Sequence, residues 1–100
     1  MRKMFPSNGQ IPNGTDFNTL LTVGSYYIPT NSMASAMINT PTGRAGRLFV
    51  LNMLGDEKVL NKPYQYFLQI YMDYYSGLWM RSAQSEDTTQ VNFGNWVQRW

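Results

Sequence analysis

The chain has 100 residues, a formal net charge of +2, and neither cysteine nor histidine. That length makes one domain. The missing residue types exclude disulfide frameworks, Cys-based zinc sites and Ser-His-Asp or Cys-His nucleophile systems. Charged residues are 14% of the chain, against a usual share of about 25%. The polar surface must therefore come from Asn, Gln, Ser, Thr and Tyr, which suits neutral, hydroxyl-rich ligands or further copies of the chain better than it suits phosphate. The sequence pI of 9.0 reflects a small excess over few charges, because Arg2, Lys3, Arg44, Arg47, Lys58, Lys62, Arg81 and Arg99 are scattered and form no nucleic-acid footprint.

The N-terminus starts basic, but no apolar run of the kind a signal peptide needs follows it. Residues 6–15 (PSNGQIPNGT) are turn chemistry with two Asn-Gly pairs, and residues 1–14 are expected to form an extended arm or linker ahead of a β domain over 15–100. Asp16 reads as the N-cap of a short helical turn through Leu21. Ser25–Ile28 is aromatic and β-branched, a strand stopped by Pro29. Residues 30–46 read as loop with at most one helical turn near Asn31–Met37.

Arg47–Leu54 is apolar on both alternating faces, as a central strand would be. Gly55–Lys58 reads as a turn. Tyr64–Asp73 is the clearest strand, with Tyr66, Leu68, Ile70 and Met72 on one face and Gln65, Phe67, Gln69 and Tyr71 on the other. With Leu78–Ser82 it predicts a hairpin bent near Tyr74–Gly77, and residues 84–90 read as a polar loop. Trp96 and Trp100 are spaced for either a helical turn or one face of a strand. No run of about 18 apolar residues exists to span a membrane as a helix. The fold class expected is mainly β: a small antiparallel sheet or sandwich-like knob with long loops and at most short helical turns.

The order of these signals carries a resemblance. Asp16-Phe17-Asn18-Thr19-Leu20 leads through Gly24 to Tyr26-Tyr27-Ile28. Asn39-Thr40-Pro41-Thr42-Gly43 and the apolar Leu48-Phe49-Val50 follow, then Gln69-Ile70-Tyr71, Gly77-Leu78-Trp79-Met80-Arg81 and a closing Trp96-Val97-Gln98-Arg99-Trp100. Over roughly residues 15–100 this resembles the pyocin knob domain of phage tail fibres, tailspikes and R-type pyocin fibres. Trp79 departs from the pattern in residue but not in aromatic type, and Thr40 stands where many members place a small apolar residue. Members usually continue past the last tryptophan, so the expectation is a piece of a longer fibre that lacks a final strand.

The resemblance implies a virion fibre subunit, often within a homotrimeric protein. It also implies a position near the bacterial surface polysaccharide or lipopolysaccharide, with no catalysis, cofactor, nucleic acid or membrane insertion.

The candidate binding face is the hairpin surface carrying Gln69, Tyr71, Trp79 and Arg81, with Trp100 as a stacking platform. Amphipathic rings offer flat apolar faces with polar edges, and Gln and Arg offer directional hydrogen bonds. The alternative for the same residues is a cross-strand stabilising cluster with Arg81 stacked on a ring. Trp96 reads as core, and Asp16 and Asn18 as turn and cap residues. Residues 42–47 lack the Gly-Lys-Ser/Thr ending of a phosphate loop. The six carboxylates show no pair placed for glycoside hydrolysis.

Overall fold

Alternating apolar positions need a second layer to cover them, and here irregular chain rather than a second sheet supplies it. The computed structural model describes residues 7–52, 65–75, 77–85 and 91–100. The strands are β1 (Ser7–Gln10), β2 (Gly24–Ile28), β3 (Gly46–Asn52), β4 (Gln65–Asp73), β5 (Gly77–Ser85), β6 (Asn92–Phe93) and β7 (Val97–Gln98). They form one open sheet in the order β1-β2-β3-β4-β5-β6, with β7 also on β5. The fold is thus mainly β, as the alternation predicts, but the sheet is mixed. β1 runs parallel to β2, and the remaining pairs are antiparallel.

The described part of the first 14 residues lies against the sheet. β1 pairs with β2, the Ile11 amide donates to the Tyr27 carbonyl at 3.0 Å, and Ile11 is fully buried in the core. Ser7–Gln10 has no strand propensity of its own, and the pairing comes from the docking of Ile11.

Between β1 and β2 the chain crosses the sheet face as a 3₁₀ turn, Phe17–Thr19, capped by the Asp16 carboxylate on the Asn18 amide at 2.9 Å. Between β2 and β3 it returns through α1 (Asn31–Ala34), a single turn capped by the Thr30 hydroxyl. The two excursions are tied together by mutual backbone bonds, Phe17 N–H to Ile38 and Ile38 N–H to Thr15. Phe17, Leu20, Ala34 and Met37 from this layer meet Ile28, Leu48, Val50 and Tyr71 of the sheet in one core, with the Phe17 and Tyr71 rings edge to face at 5.6 Å.

The β4–β5 hairpin turns at Tyr74 and Tyr75, where the Asp73 carboxylate accepts from the Tyr75 amide at 2.7 Å. The expected turn over 55–58, the end of the expected strand at 53–54, Tyr64 and the loop over 86–90 lie outside the described residues.

The C-terminal residues run back along the start of β5. Leu78 N–H donates to the Trp100 carbonyl at 2.8 Å, and Arg99 N–H donates to the Leu78 carbonyl at 2.7 Å. Gly77 is required at this crossing. Its φ of +120° lies where side chains strain the backbone, and a β-carbon would run into the Trp100 carbonyl oxygen. Gly77→Ala is therefore expected to lower the stability by about 1–3 kcal/mol in a urea unfolding titration. An unchanged midpoint would mean that the C-terminal strand is not held there.

Candidate functional site

The covered face of the hairpin is the polar one. β4 turns Phe67, Gln69, Tyr71 and Asp73 towards the loop layer, and β5 turns Arg81, Ala83 and Ser85 the same way. Tyr66 and Met72 are exposed on the opposite face, while Leu68, Ile70, Leu78 and Met80 are half-buried there. Gln69 and Tyr71 have no exposed surface, and Arg81 retains 7%. The hairpin face expected to meet a ligand is thus, at Gln69 and Tyr71, covered by the loop layer.

The reason lies in the covering layer. A loop packed on a sheet brings backbone carbonyls that need donors. The Gln69 side-chain amide donates to both the Phe17 and the Leu20 carbonyls, each at 2.9 Å. Its oxygen accepts from Arg81 Nε at 2.6 Å. That fixes the amide's orientation, since the flipped form would set oxygen against two carbonyls and nitrogen against a guanidinium. Tyr71 OH donates to the Arg44 carbonyl. Burial, with Asp73 close by, holds its phenol well above the ordinary tyrosine range. Trp79 is half-buried beside the core, and its indole nitrogen has no hydrogen-bond partner among the described residues.

Arg81 sits in an aromatic slot. Its guanidinium carbon lies 4.2 Å from the Phe93 ring centroid and 4.6 Å from that of Trp96, contacts worth up to about 2 kcal/mol each when desolvated. Its Nη2 donates to Asn18 Oδ1 at 2.8 Å. Burial pulls the guanidinium pKa down to about 10, with nearby Asp16 opposing the shift.

A register slip makes the slot. Ala83 faces Phe93 and Gln84 faces Asn92, but Trp79 faces Gln98 and Met80 faces Val97. Residues 94–96 therefore oppose only Arg81 and Ser82, a β-bulge at the sheet edge. Strict alternation would send Phe93 and Trp96 to opposite faces. The extra residue turns both inward, onto the Arg81 guanidinium.

Trp96 is anchored by its indole N–H, which donates to the Asn39 carbonyl at 2.8 Å, and by edge-to-face packing on Phe17 at 6.4 Å. Asn39 adopts φ +62°, a conformation asparagine tolerates, and its amide donates to Asp16 Oδ1 at 2.7 Å.

Beside this slot a groove of about 520 Å³ opens, lined by Asn18, Asn39, Thr40, Arg81, Asn92, Asn95 and Trp96 among others. Of the residues expected to bind, Arg81 alone lines it. Trp100 is 82% exposed at the end of the sheet and is separate from it. The groove's asparagines escaped sequence reading because Asn18 serves in a cap motif, Asn39 and Asn95 sit in loops and Asn92 is in a strand of two residues. The one local signal was Gly94-Asn95 interrupting an aromatic strand. No group of three metal-ligating side chains converges among the described residues.

The fold matches solved fibre structures along nearly the whole chain. An N-truncated R2-type pyocin tail fibre superposes with a TM-score of 0.70 at 21% identity, over 98% of this chain and 35% of that one. A C-terminal portion of the P. aeruginosa R2 pyocin fibre matches with a TM-score of 0.69 at 22% identity, over 95% of this chain and 22% of that one. The corresponding portion of the P. aeruginosa R1 pyocin fibre gives 0.64 at 23%, with the same coverage. No protein-family profile and no curated protein matches the chain. The chain thus has the fold of a pyocin-fibre-like knob domain, and it spans about a third or less of the fibres it matches.

The amide of Gln69 has a test of its own. Gln69→Leu keeps the volume but strands two carbonyls and the Arg81 Nε–H, so a loss of about 3 kcal/mol or more is expected by chemical denaturation. Gln69→Glu is expected to destabilise as well, although it could pair with Arg81, because a carboxylate oxygen would face the Phe17 and Leu20 carbonyls. Full stability of the Glu variant would mean that charge, not the amide, holds the site.

Proposed function

We propose that this chain is a non-catalytic knob module of a tail fibre or tailspike, carried on a phage or phage-tail-like particle, and that it contributes to attachment to polysaccharide on the bacterial surface. The match of almost the entire chain to pyocin tail fibres carries the reading. The asparagine-lined groove supports the ligand class. Amides present donors and acceptors in the pairs that sugar hydroxyls need, and a groove with a few convergent polar groups is the usual form of a small-ligand site. Trp100, the most exposed of the residues first singled out, is a second contact point at the end of the sheet.

Attachment is testable on an array of capsular and lipopolysaccharide-derived glycans. The chain is expected to hold at least one glycan. Asn95→Ala is expected to weaken that binding roughly tenfold, about the effect of one hydrogen bond to a desolvated group. No retention on any surface glycan, on the array or on cells, would overturn the reading.

A structural role as a spacer or self-associating fibre element is the second reading, and one observation favours it. Among the described residues, the outer sheet face carries an apolar stretch, with Met72 44% and Tyr66 41% exposed beside the half-buried Leu51, Leu68, Ile70, Leu78 and Met80, and Arg47, Ser82 and Gln84 around it. A contiguous face of this kind fits a neighbouring copy of the chain within a fibre, such as a homotrimer. Light scattering is expected to report a mass above 11.6 kDa that falls to the monomer value in Ile70→Glu/Met72→Glu. A monomer at high concentration in the unaltered chain would count against it.

A further inference from the structure

The hydrogen-bonding polarity of the groove is uneven. Arg81 has no acceptor atoms, is more than nine-tenths buried, and uses only Nε and one Nη2 hydrogen within the described structure. The Nη1 hydrogens have no partner among the described residues. Asn18 has given its carbonyl oxygen to Arg81, so its remaining polar group is the NH₂. The inner wall therefore presents donors from two neighbouring side chains and a formal positive charge with no carboxylate in contact among the described residues. The Asp16 carboxylate lies close enough to be felt by Arg81, and its Oδ1 accepts from the Asn18 backbone and Asn39 side-chain N–H groups, so it offsets part of the charge without contacting the guanidinium among the described bonds.

The rim differs. Asn92 and Asn95 are exposed, and each side chain carries both a donor and an acceptor, with no side-chain hydrogen bond among the described residues. Thr40, also on the groove, has a buried hydroxyl without a partner among the described residues. Buried polar atoms are normally paired, so Thr40 marks a place where a ligand or water completes the bonding.

A donor-only floor calls for an acceptor-rich group, and carboxylate or phosphate oxygens are the strongest partners of a guanidinium. A rim of amides calls for hydroxyls. Resting on the attachment reading above, we infer that the groove is a subsite for an anionic saccharide, with acid oxygens on Arg81 and Asn18 and ring hydroxyls on Asn92 and Asn95. The Phe93–Trp96 slot holds the guanidinium plane in place before the ligand arrives, which lowers the ordering cost of binding.

The test is a nitrogen-15 NMR titration of the full chain with galacturonic acid, glucose 6-phosphate and neutral galactose, followed at the side-chain amides and Arg81 Nε. Either acid is expected to move the Asn18, Asn92, Asn95 and Arg81 signals with at least tenfold higher affinity than galactose, and the better of the two identifies carboxylate or phosphate as the recognised group. Arg81 substitutions risk the fold, so Asn18→Ala and Asn92→Ala/Asn95→Ala serve as the variants. The first is expected to erase most of the preference for acid, and the second to weaken acid and neutral sugars alike. Equal affinity for galactose, acid binding untouched by Asn18→Ala, or shifts confined to residues outside the groove would overturn the inference. Acid binding at the groove in a chain that holds no bacterial glycan would leave the subsite standing and remove the attachment reading instead.

Discussion

A single polar bridge through the covered face of the sheet joins three parts of this domain. Gln69 reaches from the central hairpin to two carbonyls of the overlying loop and accepts from Arg81. Arg81 then reaches Asn18 in that same loop and the two aromatic rings of the C-terminal edge. Gln69 and Arg81 lie where water is largely excluded, so the bond between them is stronger than at the surface and its loss is more damaging. A loop layer has no ladder of its own to satisfy its backbone, and the bridge supplies what is missing.

The groove is a consequence of that arrangement. The guanidinium packs on two rings, the rings need the one-residue slip at 94–96, and the slip lifts Asn95 away from regular pairing with β5, while Gly94 N–H still donates to the Ser82 carbonyl. Asn39, held in a left-handed conformation by its bond to Asp16, supplies the carbonyl that anchors Trp96. The polar lining is therefore attached to rigid parts: a capped 3₁₀ turn, a bulged edge strand and an anchored indole. The opposite face of the sheet carries the more apolar side chains of the hairpin, so the described residues present two chemically different surfaces.

Much of the scaffold was legible residue by residue. Alternation marked β2, β3, β4 and the hairpin, Asp16 declared its cap, and the Asn31–Met37 segment forms the one helical turn that its propensity allowed. The side of β4 that would be buried was not legible. Leu68, Ile70 and Met72 are the more apolar set, yet the covered set includes Gln69, Tyr71 and Asp73. Local hydrophobicity cannot register that a remote loop will arrive carrying unsatisfied carbonyls. Nor does a pattern of period two contain a bulge, so Phe93 and Trp96 could not be read as neighbours.

By itself, then, the sequence determined the class of the molecule. Its β-branched and aromatic alternation made a sheet, its Asn, Gly and Pro made long loops, and its want of histidine and cysteine removed whole families of chemistry. The tertiary structure alone decided which residues are wall and which are surface. Burial, bulge register and the pairing of the Gln69 amide with carbonyls roughly 50 residues away are set by the packing of distant segments, and hydrogen-bond satisfaction across that contact outweighs the polarity of any one strand.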